Sequence, residues 1–289
     1  MTVMRNKARR KDSVMSADVS IKEVDRTSNV LLADVGNSRI KLALVSGVSQ
    51  GMPLLERRYE LDSRAFSCDD FESWLMAVVS PSTTFYIASV CDAAAAQLET
   101  AISAISGTRQ LLVQLHRVHF SDLPLGVKTE QPDRVGIDRL AAATAASHLV
   151  SSNNGCIVID CGTAASVDMV ASDRQFLGGA ILPGPALLAR SLADGTSLLP
   201  EVSSLGNASP PPMPGRSTNN AIAAGIGFGI RGAVCRLVDE ARRELGSEAD
   251  IFLTGGWRGI VRGEFSNARE FPDLVLSGIG IAAMRMSGL

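Results

Sequence analysis

The sequence predicts an α/β protein of two duplicated lobes, each built on a mixed sheet, facing each other across a cleft. Two observations carry that prediction. An apolar run, Val30-Leu31-Leu32-Ala33, meets the polar turn Asp34-Val35-Gly36-Asn37-Ser38-Arg39 and resumes as Ile40-Lys41-Leu42-Ala43-Leu44-Val45, the pattern of a β-hairpin around a Gly/Asn turn. The same scheme returns about half a chain later. Cys156-Ile157-Val158-Ile159 closes on Asp160-Cys161-Gly162-Thr163-Ala164-Ala165 and runs back through Ser166-Val167-Asp168-Met169-Val170. Internal similarity of this kind indicates two copies of one unit. A further tight turn, Thr254-Gly255-Gly256, follows the apolar run Ile251-Phe252-Leu253.

The remaining elements follow from local pattern. Ser82 to Val90 predicts a strand, and Ala93 to Ser106 a helix, from its alanine content and apolar spacing. Gly136-Ile137-Asp138-Arg139-Leu140 leads into an alanine-rich helical stretch up to Val150. The segment from Phe176 to Pro185 is rich in Gly and Pro and predicts a connection into a helix. Gly206 to Arg216 carries Pro210, Pro211, Pro212 and Pro214, and predicts an irregular loop, because consecutive prolines cannot supply helix or ladder hydrogen bonds. A helix is expected from Asn219 through Leu245, and a short strand followed by a helix from Leu274 to Met286. The expected domains are a disordered tail over 1–28, an N-terminal lobe over 29–150 and a C-terminal lobe over 151–289.

Composition narrows the function classes. With 289 residues, 46% of them hydrophobic, the chain can bury a core in each lobe. A net charge of -2 argues against a nucleic-acid-binding protein, which carries a basic domain or stripe, and 4% aromatics argue against base-stacking platforms. The basic cluster Arg5, Lys7, Arg9, Arg10 and Lys11 would suit an RNA- or membrane-binding arm. Asp12, Asp18, Glu23 and Asp25 dilute that charge and favour a solvated tail. No apolar run reading as a membrane span and no signal peptide is expected. Five scattered cysteines (Cys68, Cys91, Cys156, Cys161, Cys235) without a Cys-x-x-Cys pair suit a reducing compartment, so the expected location is cytoplasmic.

An Asp-x-Gly-Asn/Thr hairpin has a definite chemistry. Glycine lets the turn approach a ligand closely, exposed backbone N–H groups can meet phosphate oxygens, and Asn37 and Ser38 add side-chain donors. Asp34 can hold a divalent ion or its water shell against the same phosphates. Two such turns facing each other would grip a nucleoside triphosphate from both sides. Competing motifs lack their context. Gly227-Phe228-Gly229-Ile230-Arg231-Gly232 spells a dinucleotide fingerprint but follows no strand, and no Walker A sequence occurs. His116 and His119, with His148 the only other histidine, read as surface or core rather than a metal pair. Lys41 is open between an outward strand lysine and a phosphate contact. An Asp-Arg pair such as Asp138-Arg139 is, by itself, commonly a helix cap or half a salt bridge, and Asp168 is given no role.

Taken together, these motifs resemble the type III pantothenate kinases. Asp34-Val35-Gly36-Asn37-Ser38-Arg39-Ile40-Lys41 is similar to that family's first phosphate motif. Pro132-Asp133-Arg134-Val135-Gly136-Ile137-Asp138-Arg139 is similar to its Pro-x-x-x-Gly-x-Asp-Arg signature, and Asp160-Cys161-Gly162-Thr163-Ala164 to its second phosphate motif. The Gly178-Gly179 to Pro183-Gly184 segment and Ser217-Thr218 match in order. The resemblance runs from about Val30 to the C-terminus. It implies an actin/hexokinase-type ATPase fold with ribonuclease H-like lobes, and an enzyme that phosphorylates pantothenate with ATP on the way to coenzyme A.

Residue roles come with the resemblance. It implies Asp138 as the catalytic residue that takes or orients the substrate hydroxyl proton, with Gly136, Ile137, Asp138, Arg139 and Thr218 contacting pantothenate. It implies ATP binding by Asp34, Val35, Gly36, Asn37, Ser38, Arg39, Ile40, Lys41 and Thr163. A divalent cation (Mg2+), a monovalent cation (K+ or NH4+) held by Asp160, and a homodimer with substrate sites near its interface are implied as well. One position departs: the family often has a tyrosine a few residues before the Pro-x-x-x-Gly-x-Asp-Arg element, where this chain has Val127-Lys128-Thr129-Glu130-Gln131. The alternative reading is a nucleotide-binding regulator like the Bvg accessory factors, which share these motifs; the retained Asp138 favours the enzyme.

Overall fold

The structure, a computed structural model, describes residues 22–23, 28–150, 154–202 and 213–287. Within them, two mixed sheets alternate with layers of helices. The first sheet holds β1 (Lys22–Glu23), β2 (Ser28–Val35), β3 (Arg39–Ser49), β4 (Met52–Asp62), β5 (Ser82–Ser89) and β6 (Leu112–Arg117). Its order is β1-β3-β2-β5-β6, with β4 also paired to β3. β2 and β3 form an antiparallel hairpin, while β5 lies parallel to both β2 and β6. The second sheet holds β7 (Gly126–Val127), β8 (Cys156–Cys161), β9 (Ala164–Val170), β10 (Gln175–Pro183), β11 (Asp250–Gly255) and β12 (Arg269–Glu270), in the order β12-β11-β8-β9-β10-β7. Here β8 and β9 form the antiparallel hairpin and β11 is the parallel neighbour of β8. Each lobe therefore repeats one unit, a hairpin beside a parallel strand, as the paired Asp-Gly turns predict.

Side-chain alternation explains the layering. Leu31, Ala33 and Val35 of β2 pack with Phe71 and Leu75 of α1 (Cys68–Val78) and with Leu98 and Ile102 of α2 (Asp92–Arg109). Val30 and Leu32 point the opposite way, toward Leu140 of α3 (Ile137–Leu149) and Ile279 and Ala282 of α6 (Leu274–Ser287). In β8, Val158 joins that same α3–α6 layer, whereas Ile157 and Ile159 pack with α5 (Thr218–Leu245), which also contacts α4 (Pro185–Asp194). Strands covered on both faces read as unbroken apolar runs, which is what β2 and β8 show. Each fully buried Leu or Ile contributes about 1.5–3 kcal/mol.

Several elements differ from the sequence expectation. Gly178 and Gly179 lie inside β10 rather than in a connection, and Leu274 opens α6 directly, so the predicted strand at the start of that segment is helix. The chain reaches the second sheet at β7, before residue 150, and α6 returns from the second lobe to pack on the first sheet. Of the 1–28 segment, Lys22–Glu23 pairs with β3 and Ser28 begins β2; the rest of that segment lies outside the described residues, as do Gly206 to Pro212 of the proline-rich loop. α5 is long and apolar enough by composition to cross a membrane, against the expectation that no run is. Its Ile222, Ile226, Ile230, Val234 and Val238 recur every fourth residue and are buried on the second sheet, the stripe of a core helix.

Candidate active site

The hairpin turns of the two lobes meet. Each turn closes on its glycine, Gly36 N–H donating to the Arg39 carbonyl at 2.9 Å and Gly162 N–H to the Ala164 carbonyl at 3.1 Å. The Ser38 and Thr163 hydroxyls then hydrogen-bond to each other across the lobes at 2.8 Å. Behind that contact lies a cleft of about 800 Å³. Asp34 and Lys41, opposite each other in the first hairpin, line one wall, and Asp160, Gly162 and Thr163 line the other. Gly255 and Gly256 of the third turn also line the cleft. Gly255 has φ +89, and a Cβ there would come within 2.3 Å of the Cys161 backbone, so the third turn can lie against the second only as glycine.

Asp138 and Arg139 enter the same cleft at the start of α3. Asp138 occupies the first turn of the helix, where the N-terminal end of the dipole favours an anion, and its Oδ1 accepts the Arg139 N–H at 2.8 Å. The Arg139 guanidinium is gripped from the second sheet. Its Nε donates to Asp168 at 3.0 and 3.2 Å, Nη2 bonds the same carboxylate, and its Cζ sits 5.5 Å over the Phe176 ring. Asp168 is 1% exposed and also accepts the Ser166 hydroxyl at 2.7 Å. A bidentate clamp on one edge of a planar fork leaves the other edge aimed in a fixed direction.

Burial and mutual repulsion act on the carboxyls of the cleft. Burial pushes the Asp34 carboxyl up to about 7; Lys41 opposes the shift, and Asp138 and Asp160 add to it. Asp160 is pushed up to about 6, again by burial first, with Lys41 opposing and Asp138 and Asp168 adding. Burial likewise raises Asp138, against the Arg139 amide and charge. Carboxylates that hinder one another's ionisation in a shared cavity, with hard oxygen donors, suit a small cation. No group of three or more His, Cys, Asp or Glu side chains able to cage a metal occurs among the described residues. The donor set therefore fits an ion such as Mg2+ that keeps water and phosphate oxygens as its other ligands.

This geometry coincides with a match to known sequences. Residues 30–240 match the profile of the type III pantothenate kinases. The chain belongs to the type III pantothenate kinase family. The type III pantothenate kinase of Legionella pneumophila (strain Paris) is 33% identical over 268 residues, covering 88% of this chain and 98% of the relative. That of Alkalilimnicola ehrlichii is 34% identical over 264 residues, covering 89% and 98%. Among solved structures, a conserved protein described as a Baf-family transcriptional activator from Campylobacter jejuni aligns at TM-score 0.57 with 18% identity, over 90% of this chain and all of that one. A protein described as a 2-dehydro-3-deoxygalactonokinase from Sinorhizobium meliloti aligns at 0.52 with 15% identity, over 90% and 97%. At those identities the likeness is one of fold, the actin/hexokinase-type kinase fold.

Within this type III pantothenate kinase, the residues singled out from sequence divide into three groups. Asp34, Gly36, Asn37, Ser38, Arg39, Lys41, Gly136, Asp138, Arg139, Asp160 and Thr163 all line the one cleft. Lys41 lines it, and its charge acts on both hairpin aspartates, so it is not an outward strand lysine. Arg39, at the rim, is paired with Glu60 at 2.7 Å. Val35 and Ile40 are fully buried in the α1–α2 core, so only their backbone reaches the turn. Ile137 lines a neighbouring cavity with Gly136, and Thr218 lines an apolar groove between α4 and α5. Neither of these two lines the cleft. His116 stacks on Tyr86, with ring centroids 5.3 Å apart. Asp168 is the residue that sequence reasoning passed over, and a charged residue flanked by Val167 and Met169 in a buried strand was the available signal.

Proposed function

We propose that this kinase transfers the γ-phosphoryl group of ATP to the primary hydroxyl of pantothenate, giving ADP and 4′-phosphopantothenate. The observation that carries the reading is the Ser38–Thr163 contact, which closes two phosphate-type turns over a cleft whose wall carries Asp138. In the reaction the hydroxyl oxygen bonds to the γ-phosphorus, the bond from that phosphorus to the β–γ bridging oxygen breaks, and Asp138 receives or orients the hydroxyl proton. Burial raises the Asp138 pKa above the usual carboxylate value, and a more basic carboxylate is a better proton acceptor. Arg139, locked on Asp168, directs its free edge at substrate oxygens. The turns at 34–41 and Thr163 cradle the phosphates. Asp34 would hold the divalent ion that neutralises phosphate charge.

A panel of small hydroxylated acids tests this directly. ADP release coupled to NADH oxidation should respond to pantothenate at least about tenfold more strongly than to any other acid. Equal response to pantoate, glycerate or gluconate would sink the substrate assignment.

We assign Asp160 the monovalent cation, K+ or NH4+. Its carboxylate lines the cleft where triphosphate charge would collect, with Lys41 offsetting it there. Two anions at that range repel unless a cation lies between them. Replacing potassium by tetramethylammonium at constant ionic strength should raise the apparent KM for ATP about fivefold or more, the lower range of site–site couplings. Asp160→Asn should raise it in potassium too and remove most of the difference between salts. Equal wild-type kinetics in both salts would make Asp160 a divalent-ion ligand or a turn residue instead.

A homodimer is supported by the groove that contains Thr218. It is lined by Leu182, Leu188, Leu192, Ile222 and Ile226, and Ile181, 63% exposed, carries the apolar surface from its edge into the cleft. A second copy covering this face would bring Thr218 and the cleft mouth under one interface. Metabolic use of ATP and pantothenate fits a cytoplasmic protein free of membrane and nucleic-acid partners.

A further inference from the structure

Both phosphate-type turns are held from behind by residues that lie outside the turns themselves. In the first, the Gly36 carbonyl accepts the Ser63 hydroxyl at 2.8 Å, and the Ser38 carbonyl accepts the Ser63 N–H at 3.1 Å. In the second, the Gly162 carbonyl accepts the Trp257 indole N–H at 2.6 Å, and the Cys161 carbonyl accepts the Trp257 N–H at 3.2 Å. The next carbonyl, of Thr163, accepts the Gly184 N–H at 3.1 Å. Ser63 is 7% and Trp257 9% exposed, so these donors sit where water does not substitute for them.

Peptide geometry turns these anchors into a statement about the cleft. In a trans peptide the C=O and the following N–H point in opposite directions. Fixing the Gly162 carbonyl on the indole therefore turns the Thr163 N–H away from it, in a residue that lines the cleft. Fixing the Gly36 carbonyl on Ser63 does the same for the Asn37 N–H. Equivalent glycines in the two lobes thus have equivalent anchors made from unlike side chains. Trp257 does more than Ser63, because it follows the Gly255-Gly256 turn directly and itself lines the cleft. One side chain links the third turn of the cleft to the loop that faces the phosphates.

We propose that Trp257 and Ser63 are positioning residues for ATP, each presetting one turn so that its N–H groups face the triphosphate before the nucleotide arrives. The inference rests on the reading of the cleft as the ATP site. A preset turn loses no backbone freedom on binding, so removing its anchor should weaken ATP and leave pantothenate alone.

The test uses the full-length protein. Trp257→Phe keeps the ring and deletes the indole N–H; Ser63→Ala deletes the hydroxyl. Each should raise the KM for ATP about tenfold, the scale of one buried hydrogen bond, with the KM for pantothenate within about twofold of wild type. Trp74→Phe leaves Trp257 as the only tryptophan of the chain, and ADP or ATP should then change its emission saturably. That measurement needs no destabilised variant. An ATP KM within twofold of wild type in both anchor variants would overturn the proposal, as would a parallel rise in both substrates' KM, the mark of plain packing damage. Emission indifferent to saturating ATP would overturn it for Trp257. If wild-type protein bound no ATP by calorimetry, the cleft reading itself would fall; binding by wild type with no effect of either variant would remove only the anchors.

Discussion

Asp138→Asn should lower kcat by about 10²–10⁴-fold, the range of a lost general base, while the KM for ATP stays close to wild type. The two side chains have the same shape, so the amide oxygen still accepts the Arg139 N–H in the first turn of α3. What disappears is the ability to take a proton from the attacking hydroxyl. Stability should move the other way. Folding raises the Asp138 pKa, chiefly by burial, so at any pH above that raised value the native state holds an ionised carboxylate in a poor environment. A neutral amide is free of that cost. The variant should therefore melt at the same temperature as wild type or higher at pH 8, with the gap closing as the pH falls and the wild-type carboxyl takes up its proton. Steady-state kinetics and a pH series of thermal melts read both effects. Turnover within about threefold of wild type in the folded variant would remove Asp138 from the chemistry.

The site was legible in the sequence to the extent that backbone turns carry it. Asp34 to Lys41 and Asp160 to Thr163 announce themselves because an Asp-x-Gly hairpin needs those residue types in that order, and two copies point to two lobes. Support from distant chain was not legible. Ser63 and Trp257 hold the turns through one side-chain and one backbone hydrogen bond each, and nothing local marks a serine or tryptophan for that work. Gly178-Gly179 was misread for a related reason. Paired glycines favour a connection, yet a Cβ on Gly179 would come within 2.6 Å of the Asp168 carboxylate. Glycine there makes room for the ion pair inside a strand, a long-range demand that local propensity cannot express. The apolar start of α6 was read as a strand because a short unbroken apolar run fits either a buried strand or a buried helix. Its burial between α3 and the first sheet resolves it as a helix apolar on nearly every side.

Asp168→Asn should destabilise the protein by about 3–5 kcal/mol and raise the KM for pantothenate while leaving the KM for ATP near wild type. Arg139 is mostly buried, with 18% of its side chain exposed, and Asp168 is its only salt-bridge partner among the described residues. Removing one charge of such a pair strands the other, which costs far more than the pair itself contributes. At the scaling of larger domains, a loss of that size lowers Tm by about 10 °C. The kinetic effect follows from geometry, since the Asp168 clamp and the Phe176 face decide where the free edge of the guanidinium points. A double variant separates folding from function. Asp168→Leu with Arg139→Met replaces the pair by apolar groups of similar bulk, and should recover most of the lost stability. Its turnover of pantothenate should stay low, because no guanidinium remains to meet the substrate. Should the double variant regain both stability and turnover, the pair is structural and Arg139 has no part in binding. Should Asp168→Asn by itself leave Tm and both KM values unchanged, Arg139 is held by something other than Asp168.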